Sequence, residues 1–259
     1  MNSYVREAIL YLHKKHCDAH PSQNMIVVAP HPDDEVLGCG GQIAKSKSKG
    51  YDIKVLVVTD GQSSFTESEI KSKNKRRKES IIGCGWLGLK SSDIHFIGLE
   101  DKKVSQSLEE LKRALLDTIK SSKISNIYSP HYKDRHADHI HTFQICRDVC
   151  KKAEDLTHFQ YFVWYYSYWP WVKLISDRFL SRRKVFVRTI KEAAGLRTLQ
   201  RATSISDVSA FIDKKKKAIL EHKSQISKYG NEISLGDISS GQFIKNFVES
   251  PELYSKYEH

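Results

Sequence analysis

The chain is expected to fold as an α/β protein, with a mostly parallel sheet, helices on both faces (α/β/α) and a C-terminal cap region. Three observations lead there. Short apolar runs alternate with amphipathic stretches from residue 25 to about 166, the pattern of repeated β–α–β units. Met25–Ala29 and Ile53–Val58 are largely apolar without alternation, as strands covered on both faces are. The alternation then stops at Trp169-Pro170-Trp171, and the chain turns basic.

Taken in order, residues 3–17 read as an amphipathic helix with Val5, Ile9, Leu10 and Leu12 on one side. A buried strand at 25–29 leads into a helix from Asp34 to about Lys49, stopped by Gly50. A second strand, 53–58, is followed by a polar loop, 62–68, and a charged helix, 69–87. Strands are expected at 94–97, 124–128 and 159–166, and helices at 108–119 and 139–153, the first of these with Leu108, Leu111, Leu115 and Ile119 on one face. Beyond that, Val185-Phe186-Val187 suggests a strand, 207–227 a helix with a lysine run at 214–217, and 228–259 a loop-rich, weakly ordered tail. One domain over residues 1–259 is expected, with its core at about 24–166 and its cap and tail at about 167–259.

Composition narrows the function classes. Hydrophobic residues are 39% and charged residues 28% of 259, ordinary for a folded soluble chain. No apolar run is long enough to span a bilayer, and the first residues lack a signal-peptide layout. The five cysteines form no CxxC pair, which fits a reducing, cytoplasmic setting. The net charge of +11 admits an anionic substrate, an anionic membrane surface or nucleic acid. No nucleic-acid-binding signature accompanies it, so a basic nucleic-acid-binding protein is the distant reading.

The chemistry concentrates in two clusters, His31-Pro32-Asp33-Asp34-Glu35 and Asp134-Arg135-His136-Ala137-Asp138-His139. Each follows an expected strand, on the side where open α/β sheets bind ligands. His31 and Asp34 are three residues apart where strand gives way to helix, and His139 can supply a third donor. Three such ligands with one open position suit catalytic zinc, and the same donors also suit another divalent metal such as iron, cobalt or nickel. Asp33 is left beside the metal as a base, for water whose pKa a metal lowers from about 15.7 to roughly 7. His136 can stabilise an oxyanion or protonate a leaving amine, and Asp138 can orient it and raise its pKa. Alone, the first cluster could be a helix N-cap; two clusters on one side of one sheet point to metal-assisted amide hydrolysis.

These residues resemble a known family. The run VAPHPDDEVLGCGG (28–41) is similar to the signature of the LmbE/PIG-L zinc-dependent N-acetylglucosaminyl deacetylases, and His136-Ala137-Asp138-His139 to its His-x-Asp-His motif. Arg76 to Glu79 with Leu87-Gly88, and Lys217 to Gln225 with His222 and Ser224, match two further elements in the family's order. The resemblance covers roughly 24–228 and implies a Rossmann-like fold, His31, Asp34 and His139 as metal ligands, Asp33 as base, and His136 with Asp138 at the tetrahedral intermediate. It also implies substrate binding by Arg76, and hydrolysis of an N-acetylglucosamine-type glycoconjugate. Ala137 stands where many members have proline.

Features outside the motifs bear on the substrate. Trp169 and Trp171 flank Pro170 in an expected loop, where their rings could stack on a sugar. Arg178, Arg182, Arg183 and Lys184 form a basic group nearby that would suit a phosphate, nucleotide or lipid-linked sugar, or a membrane surface. The runner-up activity is a zinc amidase cleaving a larger acyl or thiol conjugate.

Overall fold

Residues 8, 11, 18–61, 69–153, 155–174, 181–226, 234–248 and 251–258 are described in the computed structural model. After a two-residue strand β1 (Asp18–Ala19), the chain enters β2 (Met25–Ala29), every residue of which is buried. Alternate side chains of β2 supply two separate cores. Met25 and Val27 join Val55 and Val57 on one face, while Ile26 and Val28 join Leu56 and Val58 on the other. This is why the run is apolar throughout: neither face meets water.

Helix α1 (Asp34–Ser48), β3 (Ile53–Thr59), α2 (Glu69–Trp86), β4 (Ile94–Leu99), α3 (Leu108–Lys120), β5 (Asn126–Pro130), α4 (Ala137–Cys150) and β6 (Thr157–Tyr161) follow. Strands β4, β3, β2, β5 and β6 pair in parallel in that spatial order. Leu111 and Leu115 of α3, with Ile145, Cys146, Val149 and Cys150 of α4, fill the core under one face. Val36, Leu37 and Ile43 of α1 fill the other. Helices therefore cover both faces, as the alternation predicts. The close seat of α1 needs Gly38, because a Cβ there would fall 2.2 Å from Tyr161 Cδ2.

The later part departs from the expectations. The run at 159–166 leaves the sheet at Tyr161, and a 3₁₀ turn holds Trp164–Tyr166. Its residues stay buried because the segment passes under the cap, so hydrophobicity does not mark the strand's end. Val185-Phe186-Val187 lies within a helix, α5 (Arg182–Lys191), not a strand. Ser181 caps it, its side chain accepting from Lys184 N. The strand preference of Val-Phe-Val is overridden by that cap and by tertiary contact.

A short helix α6 (Leu196–Arg201) and strand β7 (Ser204–Ser206) precede α7 (Ile212–Glu221) and α8 (Lys223–Ile226), so the expected helix 207–227 is shorter and broken at His222. The tail is not loop-rich throughout. It contains α9 (Gln242–Val248) and β8 (Glu252–Lys256), which inserts antiparallel between β6 and β7. The full order is β1-β7-β8-β6-β5-β2-β3-β4. The expected helix at 3–17 and loop at 62–68 lie outside the described residues, apart from residues 8 and 11, both helical.

Lys215 explains how the tail is fixed. It belongs to the lysine run, yet is 1% exposed. Its Nζ lies 2.7 Å from Glu252 of β8 and donates to Leu37 O of α1 at 2.9 Å. Glu252 also accepts from Gly41 N and Gln42 N at 2.6 and 2.7 Å. One buried ion pair thus joins α1, α7 and β8.

Candidate metal centre

Strands β2 and β5 are neighbours from which the sheet grows in opposite directions, and both clusters leave their carboxyl ends. That is the switch point where such sheets open a crevice. The first loop is held in a form that costs backbone energy. Asp33 has φ 143°, outside the regions that side-chain-bearing residues favour. Its N–H donates to Glu35 Oε2 at 3.0 Å, and Glu35 is held in turn by Ser80 Oγ at 2.6 Å.

Three donor atoms converge above this loop. Asp34 Oδ2 is 3.1 Å from His31 Nδ1 and 3.1 Å from His139 Nε2, and the two nitrogens are 3.3 Å apart. Bonds of 2.0–2.1 Å to a tetrahedral zinc place ligand atoms roughly 3.3 Å from one another. The triangle fits one face of such a tetrahedron. His136 stands at its side: His31, His136 and His139 each bring a ring nitrogen within a 4.8 Å cluster. His136 Nδ1 is buried without a hydrogen-bond partner among the described residues.

Each ligand-like imidazole is gripped from behind by carboxylate. His31 Nε2 is 3.2 Å from Asp101 and 3.3 Å from Asp138, and His139 Nδ1 is 3.3 Å from Asp134. Such partners fix ring orientation and tautomer at metal sites. Asp101 and Asp138 are also the acids of a second grouping, His31, Asp101, His136 and Asp138. The first triangle is favoured as the metal face, because Asp138 already accepts from Lys102 N at 2.8 Å and Val104 N at 3.4 Å.

The protonation preferences describe a site that attracts cations. Burial opposes charge on His31, but Asp101, Asp138 and Asp34 together raise its pKa well above the usual imidazole value. Burial likewise opposes charge on His139, and Asp34 and Asp134 still lift it to about 9. Asp34 is lowered: burial pushes it up, and the two imidazoles outweigh that. Burial pushes Asp33 up to about 7, aided by Asp34 and Glu35 and opposed by Arg76 and His31. Asp33 is 7% exposed, and Val36, Leu37, Ile219, His222, Ile226 and Leu235 line a small space beside it. The donor chemistry, spacing and charge of the triangle all fit a divalent metal.

Some expectations need correction. The charge of Asp138, 3.7 Å away, does raise the pKa of His136, but burial first, then His31 and His139, outweigh it and push that imidazole down to about 4. The closer contact of Asp138 is with His31. Arg76 does not project into open space. It is 2% exposed and donates to Gly61 O at 2.8 Å and Pro32 O at 2.9 Å, with Asp33 Oδ2 at 3.6 Å. It therefore braces the loop bearing Asp33. Gly61 is needed there: its φ is 62°, and a Cβ would meet Arg76 Nη1 at 1.7 Å. Trp171 is 1% exposed, packed against Tyr166 in the core, and unable to stack on a sugar in this arrangement. Trp169 is half-buried and Arg182 exposed. Glu79 accepts from Ser224 N at 3.0 Å and from Ser224 Oγ, so the third and fourth matched elements meet each other away from the triangle.

Comparison with known proteins bears on this geometry. Residues 26–150 match the family model described as PIG-L: GlcNAc-PI de-N-acetylase. The chain carries a PIG-L family domain. The metal triangle, its carboxylate supports and Asp33 all lie within the PIG-L domain. The chain is 27% identical over 147 residues to the uncharacterized deacetylase YaiS of Escherichia coli K12, covering 55% of this chain and 76% of that relative. It is 26% identical over 125 residues to the diacetylchitobiose deacetylase of Thermococcus kodakarensis, so the match spans 46% of each, under half the length of that relative. The N,N'-diacetylchitobiose deacetylase structure from Pyrococcus horikoshii has the same fold, with a TM-score of 0.64 over 99% of this chain and 93% of that chain at 17% identity.

Proposed function

We propose that the protein is a metal-dependent N-deacetylase acting on an N-acetylglucosamine-type sugar, with zinc as its metal. The observation that carries this reading is the Asp34–His31–His139 triangle with a buried, proton-accepting Asp33 next to it. A divalent ion held by the triangle supplies positive charge that polarises an amide carbonyl and acidifies water. Asp33, with a pKa near 7, takes a proton from the attacking water and holds it for the departing amine. Arg76 and Glu35 keep that carboxylate and its backbone in place. His136, neutral at pH 7, donates one ring N–H toward the oxyanion or the leaving nitrogen.

The named activities of the relatives support a GlcNAc-type substrate: diacetylchitobiose for one, GlcNAc-PI for the family model. Exposed Arg182 and half-buried Trp169 are retained as substrate contacts, and an anionic aglycone fits the charge of +11. The chain is read as one domain, since β8 lies inside the sheet that the motifs build. Among the described residues no helix is long and apolar enough to cross a membrane. A cytoplasmic setting is proposed from the cysteines, of which Cys39, Cys84, Cys146 and Cys150 are buried thiols.

The test is acetate release by the zinc-loaded protein from free, inositol-linked, nucleotide-linked and lipid-pyrophosphate-linked N-acetylglucosamine. Release from one class, lost in Asp33→Asn, is expected. No release from any, with zinc bound, would overturn the substrate assignment.

A further inference from the structure

Helix α5 is an amphipathic helix turned outward. Its buried residues are Val185, Arg188 and Thr189. Its large apolar residues face solvent: Phe186 is 52% exposed, Val187 43% and Ile190 64%, and Leu196 at the start of α6 is 53% exposed. A surface helix ordinarily turns such residues toward the core. Nothing local prevents that here except the partners of the inward face. Arg188 donates to Ser167 Oγ at 2.5 Å and Trp164 O at 3.2 Å, and lies over the rings of Tyr165 and Tyr168. Thr189 Oγ1 accepts from Trp169 N. The polar face is locked inward, and the apolar stripe at 186, 187 and 190 is left uncovered.

Among the described residues of α5 and the start of α6, the exposed charges have one sign. Arg182, Arg183, Lys184, Lys191 and Arg197 are all exposed. The one acidic residue along α5 and its end, Glu192, is bound to Arg201 and to Tyr165 Oη. Apolar side chains ringed by cations suit an interface where hydrocarbon lies beneath negative headgroups. A second copy brought face to face by a two-fold axis would oppose five cations with five. Nucleic acid would satisfy the cations but leave the aliphatic stripe without a partner.

We propose that α5 and the start of α6 form a peripheral docking surface for an anionic lipid bilayer. Phe186, Val187, Ile190 and Leu196 enter the headgroup boundary, and the surrounding Arg and Lys residues pair with lipid phosphates. The contact is connected to the metal centre by a short path. Arg188 holds Trp164, the neighbouring Val163 N donates to Asp134 Oδ2 at 3.4 Å, and Asp134 holds His139. The proposal does not depend on the deacetylase reading, because it is read by binding and not by turnover.

The experiment is co-sedimentation of the full chain with phosphatidylcholine vesicles, with and without phosphatidylglycerol, across a salt series. Binding to the anionic vesicles alone, weakening as salt rises, is expected. Arg183→Gln with Lys191→Gln should weaken it at least about tenfold, given roughly fivefold per cation. Phe186→Ser with Ile190→Ser should weaken it by about tenfold or more, at unchanged circular dichroism and thermal midpoint. The proposal is overturned by no sedimentation with anionic vesicles, by equal binding to both vesicle types, or by variants that bind like the parent. It is also overturned if the parent is an oligomer that Phe186→Ser with Ile190→Ser dissociates, since the stripe would then serve a second copy.

Discussion

Residues 26–150 and residues 155–258 are packed into the same sheet but do different work. The first segment supplies every donor of the candidate metal triangle, each carboxylate behind it and Asp33, all in the loops that follow β2, β4 and β5 or in the first turn of the helices after β2 and β5. The second supplies none of these. It contributes the strands β6 and β7, the antiparallel β8 between them, a buried ion pair and an outward-turned basic helix. The chemistry draws on two short clusters whose His31 and His139 lie 108 residues apart, and closure of the fold on pairs such as Lys215 and Glu252, 37 residues apart.

The largest effects should fall inside the first segment, and they separate ligand from base. His139→Ala is expected to lose both bound metal and activity. Asp33→Asn is expected to keep its metal and lose turnover by roughly 10²–10⁴-fold, the usual contribution of a general base. Metal analysis after gel filtration, alongside acetate release, reads both. Loss of metal in Asp33→Asn would make Asp33 a ligand and break the division of roles.

Next in size is the weld between the segments. Lys215→Met leaves Glu252 charged and buried against Gly41 N and Gln42 N, and should cost about 3–5 kcal/mol in urea unfolding. Adding Glu252→Leu should recover part of that, because no buried charge then remains. A loss below about 1 kcal/mol would mean that the tail is held by β8's strand pairing and not by this pair.

A smaller effect is expected one layer behind the ligands. Asp134→Asn keeps the shape but removes the charge facing His139 Nδ1, and metal affinity should fall about 10–100-fold in a chelator competition. An unchanged affinity would make Asp134 a brace for Val163 N only.

The contrast between the segments is also a contrast in what the sequence reveals. The meeting of His31, Asp34 and His139 was legible because a strand run directly precedes each cluster, and the spacing states which side chains leave the same strand end. Asp134 was in view but without a role, since nothing in its neighbourhood says that it backs His139. Asp101 stood unnoticed past β4, though the rule that sites gather at strand ends would have nominated it. Arg76 was assigned to substrate by resemblance, and the physical fact that a Cβ-free Gly61 admits its guanidinium is a tertiary one. Nothing in the sequence sets Lys215 apart from Lys214, Lys216 and Lys217, which are exposed. Its partner Glu252 lies 37 residues away in a tail that shows no strong periodicity. The Val185–Val187 triplet was misread for the converse reason: helix α5 exposes what local preference says to bury.

The finest probe of the comparison is His20, which stands where the two segments meet. Its Nδ1 is 2.8 Å from Ser204 Oγ of β7, its Nε2 is 2.6 Å from Tyr128 Oη of β5, and its ring stacks on Tyr254 of β8 at 4.2 Å. Burial, with the nearby charge of Lys45, lowers its pKa from 6.5 to about 3. The folded state thus binds fewer protons here than the unfolded state between those two values. Stability from this residue is complete above pH 6.5, falls as pH drops toward 3, and levels off below. The slope is at most about 1.4 kcal/mol per pH unit. In His20→Phe the protein should be less stable at pH 7, having lost both hydrogen bonds, but should lose less stability between pH 6.5 and 4.5 than the parent. Urea unfolding at a series of pH values measures the difference in slope, which cancels contributions from the carboxylates and the other histidines. Equal slopes would show that His20 titrates freely, and that the joint between the two segments admits water at this point.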